Sequence, residues 1–312
     1  MEHSVMKTSH AALFSADGLV IVVTGGGSGI GKAMASAACE TGASRVYILG
    51  RRLEVITNTA KELDETQVRV VPLQCDVRSI DSVKAVVRHI ERESGYIDVL
   101  VNNAGIPNPF FDPESADTIE ALQEGLLEAH KGSLNVLDTN LSAIIGTSSA
   151  FLSLLHKGNT RRGWPVKKLQ ATDANTRSLE HSQPNVDPGD MRTSQIITMS
   201  SIGGIERSGL TGLASTASKA GVPHLGQTLS TMLAPWNIRS NVCIPGYYHS
   251  EMTAPLPVMQ AMRFGNTPAG RAGDARDVAG FFLFLVGMSG SYVNGAVLLS
   301  DGGRFSIHPP GF

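Results

Sequence analysis

The sequence has few of the residues that mark metal, redox or extracellular chemistry. Its 312 residues include three cysteines, Cys39, Cys75 and Cys243, and none forms a Cys-x-x-Cys pair. That spacing excludes a zinc ribbon, a thioredoxin-like redox site and a disulfide framework. Three reduced, partly buried thiols are expected, since free cysteine is usually buried. The nine histidines show no His-Glu-x-x-His or paired-ligand spacing, so no metal site is expected. Neither sign of charge dominates: 26 Lys and Arg against 28 Asp and Glu give a formal charge of -2. Nucleic acid and anionic membranes are therefore not expected as partners. Long apolar runs are also missing. The first, Leu19 to Val23, is too short for a signal-peptide core or a membrane span, and a cytoplasmic location is expected by default. What remains is 42% hydrophobic and 17% charged, enough apolar material for one large core.

Short β-branched runs alternate with longer helical patterns. This predicts an α/β fold: one doubly wound parallel sheet with helices on both faces. Strands are expected at Leu19–Thr24, Arg45–Leu49, Val68–Leu73, Ile97–Val101, Gln195–Met199, Asn241–Ile244 and Ala296–Leu299. Helices are expected at Gly29–Thr41, Leu53–Asp64, Ile80–Glu91, Ser215–Leu233 and Asp277–Val286, with a long helical stretch ending near Leu155. Between His156 and Ser194 the periodicity stops, and prolines and basic pairs accumulate. Such a segment reads as a polar surface insert or as a substrate lid. No internal repeat or second core is visible. One domain over residues 19–303, with tails at 1–18 and 304–312, is expected.

The segment Thr24-Gly25-Gly26-Gly27-Ser28-Gly29-Ile30-Gly31 joins the first strand to the first long helix. Glycines let backbone approach a bulky anion, and the helix start offers unpaired N–H groups and a positive dipole end to phosphate. Together these predict a Rossmann-type dinucleotide site. The second strand ends in Gly50-Arg51-Arg52, where proteins that bind NAD usually carry an acidic residue for the ribose. With no carboxylate to repel a 2′-phosphate, and Arg51 and Arg52 able to clamp one, NADP(H) is the expected cofactor.

Read together, these pieces resemble the short-chain dehydrogenase/reductase family over nearly the whole chain, from Leu19 to Gly303. The family's glycine loop is Thr24 to Gly31, and its acidic residue at the adenine corresponds to Asp76, followed by Val77. Its Asn-Asn-Ala-Gly motif corresponds to Asn102 through Asn103 and Ala104 to Gly105. The resemblance places the catalytic serine at Ser201, the helical asparagine at Asn140, and the Pro-Gly loop over the nicotinamide at Pro245-Gly246. Ser250 stands where the family has Thr or Ser near the carboxamide. By the same resemblance Lys219 would bind the nicotinamide ribose and keep the site positive. Asn140 would fix a water behind it, and Ser201 would hold the substrate's polar atom.

One departure bears on the chemistry. The family's Tyr-x-x-x-Lys reads Ser215-Thr216-Ala217-Ser218-Lys219. A serine hydroxyl is far less acidic than a phenol and its side chain is a ring shorter. Losing general-acid catalysis alone costs about 10²- to 10⁴-fold. Several readings follow. A water held between Ser215, Ser201 and Lys219 supplies the proton, or Tyr247 or Tyr248 does. Alternatively the substrate is an iminium ion that needs no acid, or the emptied pocket runs a non-redox isomerisation or cyclisation with NADP still bound. A nucleotide-binding protein without catalysis, or a serine introduced to inactivate an enzyme, completes the alternatives. The leading expectation is an NADP(H)-dependent oxidoreductase acting on a C=O or C=N bond of a hydrophobic small molecule, in the manner of natural-product pathways.

Open α/β sheets bind ligands at the carboxyl ends of their strands. Pocket walls are expected from Ile202–Gly212, from Tyr247–Phe264 and from the insert. Tyr248, Met252, Leu256, Met259, Met262 and Phe264 make the second of these apolar, which suits a hydrophobic substrate or equally a helix packed on the core. The resemblance also implies a homodimer or homotetramer built on the helices that carry Asn140 and Lys219.

Overall fold

Val20 to Val23 carries no polar side chain, so neither face of a strand there can look onto water. In the computed structural model, which describes residues 10–107, 111–184, 186–207, 212–254, 259 and 262–308, Val20–Thr24 is strand β1, buried along its length. It is joined by β2 (Arg45–Gly50), β3 (Val70–Gln74), β4 (Val99–Asn102), β5 (Gln195–Met199), β6 (Arg239–Pro245) and β7 (Val297–Ser300). Every neighbouring pair is parallel, in the order β3-β2-β1-β4-β5-β6-β7. The order reverses between β1 and β4. That switch point opens a crevice outside the carboxyl ends of the two strands.

The helices are α1 (His10–Leu13), α2 (Gly29–Glu40), α3 (Leu53–Leu63), α4 (Ile80–Glu93), α5 (Ile119–His130), α6 (Ser133–Leu137), α7 (Ala143–Thr160), α8 (Leu213–Leu233), α9 (Ala275–Val286) and α10 (Arg304–Ile307). Strand side chains alternate between two cores. Ile21, Val23, Val46 and Ile48 pack with Met34, Ala35 and Ala38 of α2 and with Val278, Phe282 and Leu285 of α9. Val20, Val22, Tyr47 and Leu49 face Val83, Val86 and Ile90 of α4 and Phe151, Leu154 and Leu155 of α7. Each Val, Leu, Ile, Phe or Met among them contributes about 1.5–3 kcal/mol when fully buried. No helix among the described residues is long and apolar enough to cross a membrane.

Three expectations change. The long helical stretch is broken at Gly132 and again by a π-helical turn at Asp138–Ser142, which widens the helix by one residue where Asn140 sits. The irregular segment begins after Thr160, because α7 continues past His156. Its described residues are fastened by arginines rather than by regular backbone pairing. Arg162, 1% exposed, lies 2.7 Å from Asp98 Oδ1, and Arg161 lies 3.0 Å from Asp98 Oδ2. Asp190 pairs with Arg192 at 2.8 Å and with Arg162 at 3.4 Å. Arg177 donates to the carbonyls of Arg162, Asp187, Pro188 and Asp190. Asp98 immediately precedes β4, Ser194 immediately precedes β5, and Arg239, which opens β6, donates to Thr193 Oγ1. The segment therefore braces the amino ends of the strands, opposite the crevice, and its reading as a substrate lid or pocket wall is overturned.

The expected tails also dock where they are described. Ala16 is fully buried, and Arg192 donates to the carbonyls of Ser15 and Asp17. Arg304 is buried against Glu206.

Candidate active site

Strand β1 delivers Thr24 to the switch point, where its hydroxyl ties three segments together. Thr24 Oγ1 donates to the Val101 carbonyl at 3.1 Å and accepts from the backbone N–H groups of Asn103 and Ala104 at 2.9 and 3.0 Å. Asn103 Nδ2 donates to the carbonyls of Thr24 and Gly25 at 3.0 and 3.2 Å. These two side chains fasten the glycine loop to the end of β4. Gly25 and Gly29 have positive φ, +65° and +51°, a conformation that side chains resist. A Cβ on Gly31 would lie 2.2 Å from the Gly25 carbonyl oxygen, so the loop closes this tightly only with glycine there. Gly27 accepts from Thr59 through its carbonyl, and Ile30 packs on the core. Ser28 caps α2 without a side-chain hydrogen bond, which leaves the first-turn N–H groups to serve an anion. The close backbone, the glycines and the helix start fit a dinucleotide diphosphate.

Arg51 and Arg52 follow β2 at the rim of this cradle, both exposed. The Arg51 carbonyl accepts from Gln74 Nε2 at 2.9 Å. Arg52 Nη2 lies 3.4 Å from Glu251 Oε2, on a loop remote in sequence. Asp76 is engaged by its neighbour: Arg78 donates to both carboxylate oxygens, at 3.1 and 2.6 Å, and also to Asn135 Oδ1 at 2.6 Å. The Arg78 hydrogen bonds hold the Asp76 carboxyl below the usual carboxylate range despite partial burial. Val77 and Arg78 border a cavity of about 290 Å³ with Ile80, Asp138 and Ile145.

Lys219, Asn140 and Gly105 converge at the carboxyl ends of β4 and β5. Lys219, on α8, donates from Nζ to the Met199 carbonyl at 2.8 Å. Asn140 Oδ1 accepts from the Ile106 N–H at 2.9 Å, and its Nδ2 donates to the Ile106 carbonyl at 3.0 Å. A Cβ on Gly105 would sit 3.2 Å from Asn140 Oδ1 and 3.7 Å from Lys219 Nζ, so the two side chains flank that glycine. Among the described residues no carboxylate pairs with Lys219. Burial without a counter-charge lowers its pKa to about 8.

Ser201 follows β5, and its hydroxyl accepts from the Gly203 N–H at 3.1 Å. Ser200, which the sequence did not single out, donates from Oγ to the Lys219 carbonyl at 2.7 Å and so ties β5 to α8. Ser215 lies one turn before Lys219, 8% exposed, with its carbonyl bonded by Ser218 Oγ at 2.7 Å.

The loop after β6 forms the far wall. Pro245 ends the strand, and Gly246 donates to the Ser300 carbonyl at 2.8 Å. Tyr248 is 4% exposed, in the core, with its hydroxyl 2.6 Å from Ser300 Oγ. Tyr247 lies under the Arg304 guanidinium, 5.1 Å from ring centroid to Cζ. Burial raises the pKa of both phenols. Neither suits a donor role, and packing accounts for them. Ser250 and Thr253 bond each other, with the hydroxyls 2.9 Å apart, and Thr253 Oγ1 also bonds the Tyr248 carbonyl. Met252 and Phe264 are exposed, so core packing does not account for them. Leu256 lies outside the described residues, as do residues 208–211 of the other expected wall. The exposed Glu251 and the buried Glu206–Arg304 pair were also missed, since acids in polar loops carry no periodic signal.

Residues 19–163 match the family model for short chain dehydrogenases, and residues 165–304 match the model described as enoyl-(acyl carrier protein) reductase. The chain is 36% identical to the short-chain dehydrogenase/reductase VdtF of Byssochlamys spectabilis, over 97% of each chain. It is 37% identical to the short-chain dehydrogenase/reductase PhomF of Diaporthe leptostromiformis, over the full length of both. Among solved structures it resembles the Pseudomonas aeruginosa RhlG/NADP active-site complex, with a TM-score of 0.72 and 26% identity, covering 96% of this chain and 100% of that one.

Proposed function

Because this chain belongs to the short-chain dehydrogenase/reductase family, a family of oxidoreductases, we propose that it binds NADP(H) and reduces a carbonyl carbon of a hydrophobic small molecule. The observation that carries this reading is the lone ammonium of Lys219, flanking Gly105 with Asn140 and lacking a carboxylate partner among the described residues. A cation placed there favours negative charge developing on a carbonyl oxygen. The same cation disfavours a positively charged iminium substrate, so a C=O bond suits the site better than a C=N bond. The cofactor reading rests on Arg51 and Arg52, which stand at the tip of β2 where NAD-binding proteins usually carry an acid, and the solved relative with NADP supports it.

Bound NADPH supplies the hydride. Thr24 and Asn103 hold the glycine loop in shape, and the amides of Gly27, Ser28, Gly29, Ile30 and Gly31 face the diphosphate. Arg51 and Arg52 hold the 2′-phosphate. Asp76 and Val77 border the adenine side, with Asp76 fixed by Arg78. Asn103, Ala104, Gly105, Pro245, Gly246 and Ser250 enclose the nicotinamide end. Ser201 donates to the substrate oxygen. Lys219 would bind ribose and polarise a water lodged where Ser215 is shorter than a tyrosine ring; that water would pass a proton to the substrate oxygen and regain one from the Lys219 ammonium, which solvent reprotonates. Asn140 is a positioning residue, holding the backbone at Ile106. The exposed Met252 and Phe264 supply apolar wall, and fungal natural-product biosynthesis is the setting we propose.

The apolar residues Leu134 and Ile145 on α6 and α7 and Leu213 and Met232 on α8 are more than half exposed. They support self-association through the helices near Asn140 and Lys219. Calorimetric titration tests the cofactor reading: micromolar NADPH with much weaker NADH is expected, and equal affinities would overturn it. Consumption of NADPH with aromatic or alicyclic ketones tests the chemistry.

A further inference from the structure

The loop after β6 touches the nucleotide cradle at two points. At one, a Cβ on Gly29 would lie 3.1 Å from Ser250 Cβ, so the loop rests on the turn that opens α2. At the other, Glu251 Oε2 reaches Arg52 Nη2 at 3.4 Å, at the tip of β2. The loop between these contacts is stiff. Thr253 Oγ1 bonds Ser250 and the Tyr248 carbonyl, and the amides of Thr253 and Ala254 donate to Ser250. Tyr248 pins its base in the core through Ser300. Glu251 projects from the apex of this turn, its side chain 70% exposed, and spans to an arginine that is 65% exposed.

We infer that Glu251 is a selectivity residue of the nucleotide site: it occupies Arg52 in the free protein and competes there with the 2′-phosphate of the incoming dinucleotide. The inference rests on the NADP(H) reading above. A carboxylate and a phosphate cannot both sit on one guanidinium without mutual repulsion, so binding a 2′-phosphate displaces Glu251. A nucleotide with a free 2′-hydroxyl makes no such demand and leaves the pair in place. The pair thus weakens binding of the phosphorylated nucleotide alone. It also couples the position of the loop, and of Ser250 with it, to which nucleotide is bound. Both side chains are solvated and the separation is long, so the effect is modest. Exposed pairs of this kind change affinities by about five-fold at most.

The test is calorimetric binding of 2′,5′-ADP and 5′-AMP to the full chain and to Glu251→Gln, with no turnover involved. Both residues are on the surface, so folding is not in question. The wild-type protein is expected to prefer 2′,5′-ADP, and Glu251→Gln to tighten 2′,5′-ADP by about two- to five-fold while leaving 5′-AMP unchanged. In about 1 M salt, where screening acts over about 3 Å, the gain should disappear. Equal tightening of both nucleotides, or none, overturns the role of Glu251 while leaving the cofactor reading intact. A wild-type protein that does not distinguish the two nucleotides overturns the cofactor reading itself, and the role of Glu251 with it.

Discussion

Lys219 Nζ and the Met199 carbonyl, 2.8 Å apart, join the second turn of α8 to the last residue of β5. The bond fixes where the site's cation stands, and burial brings its pKa down to about 8.

The first expected outcome is a pH profile. The folded-state pKa lies below the ordinary lysine value of 10.5. Deprotonation of Lys219 therefore begins near pH 8, while the unfolded chain stays charged. Turnover in the reducing direction should fall as pH rises through about 8. Stability should rise over the same interval, up to the unfolded pKa, because the unfolded chain then binds more protons. Lys219→Arg should shift the activity limb upward, and Lys219→Met should remove it. Steady-state rates and urea midpoints across pH check both signs.

Restoring the phenol is the second. Ser215→Tyr places an acid beside Lys219, and ketone reduction should rise by about 10²- to 10⁴-fold. A native substrate already served by ordered water should gain far less. Comparing kcat for a simple ketone in the two proteins checks this. Equal rates would mean that Ser215 does not mark the proton-donor position.

The Arg51→Ala and Arg52→Ala variants form the third. Each should weaken NADPH binding by about 10- to 100-fold, as expected for a hydrogen bond between charged groups, and leave NADH within experimental error. Calorimetry with both cofactors decides it.

Asp98 supplies the fourth. It accepts from the Val20 N–H at 2.8 Å and pairs with both Arg161 and Arg162. Asp98→Asn should leave the buried Arg162 with only its longer pair to Asp190, at a cost of about 1.5–3 kcal/mol for the lost charged hydrogen bonds, measurable by urea denaturation. Cofactor affinity of the folded fraction should not change, because Asp98 lies at the opposite end of the sheet.

Much of this was legible in the sequence, for reasons that differ between elements. Strand β5 falls where its apolar run predicts, Gln195–Met199, and the central strands, buried on both faces, read clearly. Glycines at positive φ mark the nucleotide loop because few other residues fit there. The helix before Asn140 was misread, because periodicity does not register a π-helical turn or the break at Gly132. For the 161–194 segment the sequence leaves a surface insert and a lid both open. Its order comes from arginine side chains reaching carbonyls far along the chain, and no local pattern records that. For Tyr247 and Tyr248 the sequence leaves a proton-donor role and loop packing both open, and the contacts with Arg304 and Ser300 that favour packing lie far along the chain.

Arg177 carries a consequence for how this protein changes over time. It gathers the carbonyls of Arg162, Asp187, Pro188 and Asp190 into one guanidinium fork, and carbonyls are indifferent to the side chains of the residues that bear them. Apart from the ion-paired Arg162 and Asp190, the side chains at those positions are thereby free to vary while the arginine stays. The amino ends of the strands become a place where lineages can diverge in sequence without touching catalysis, with Arg177 as the fixed point.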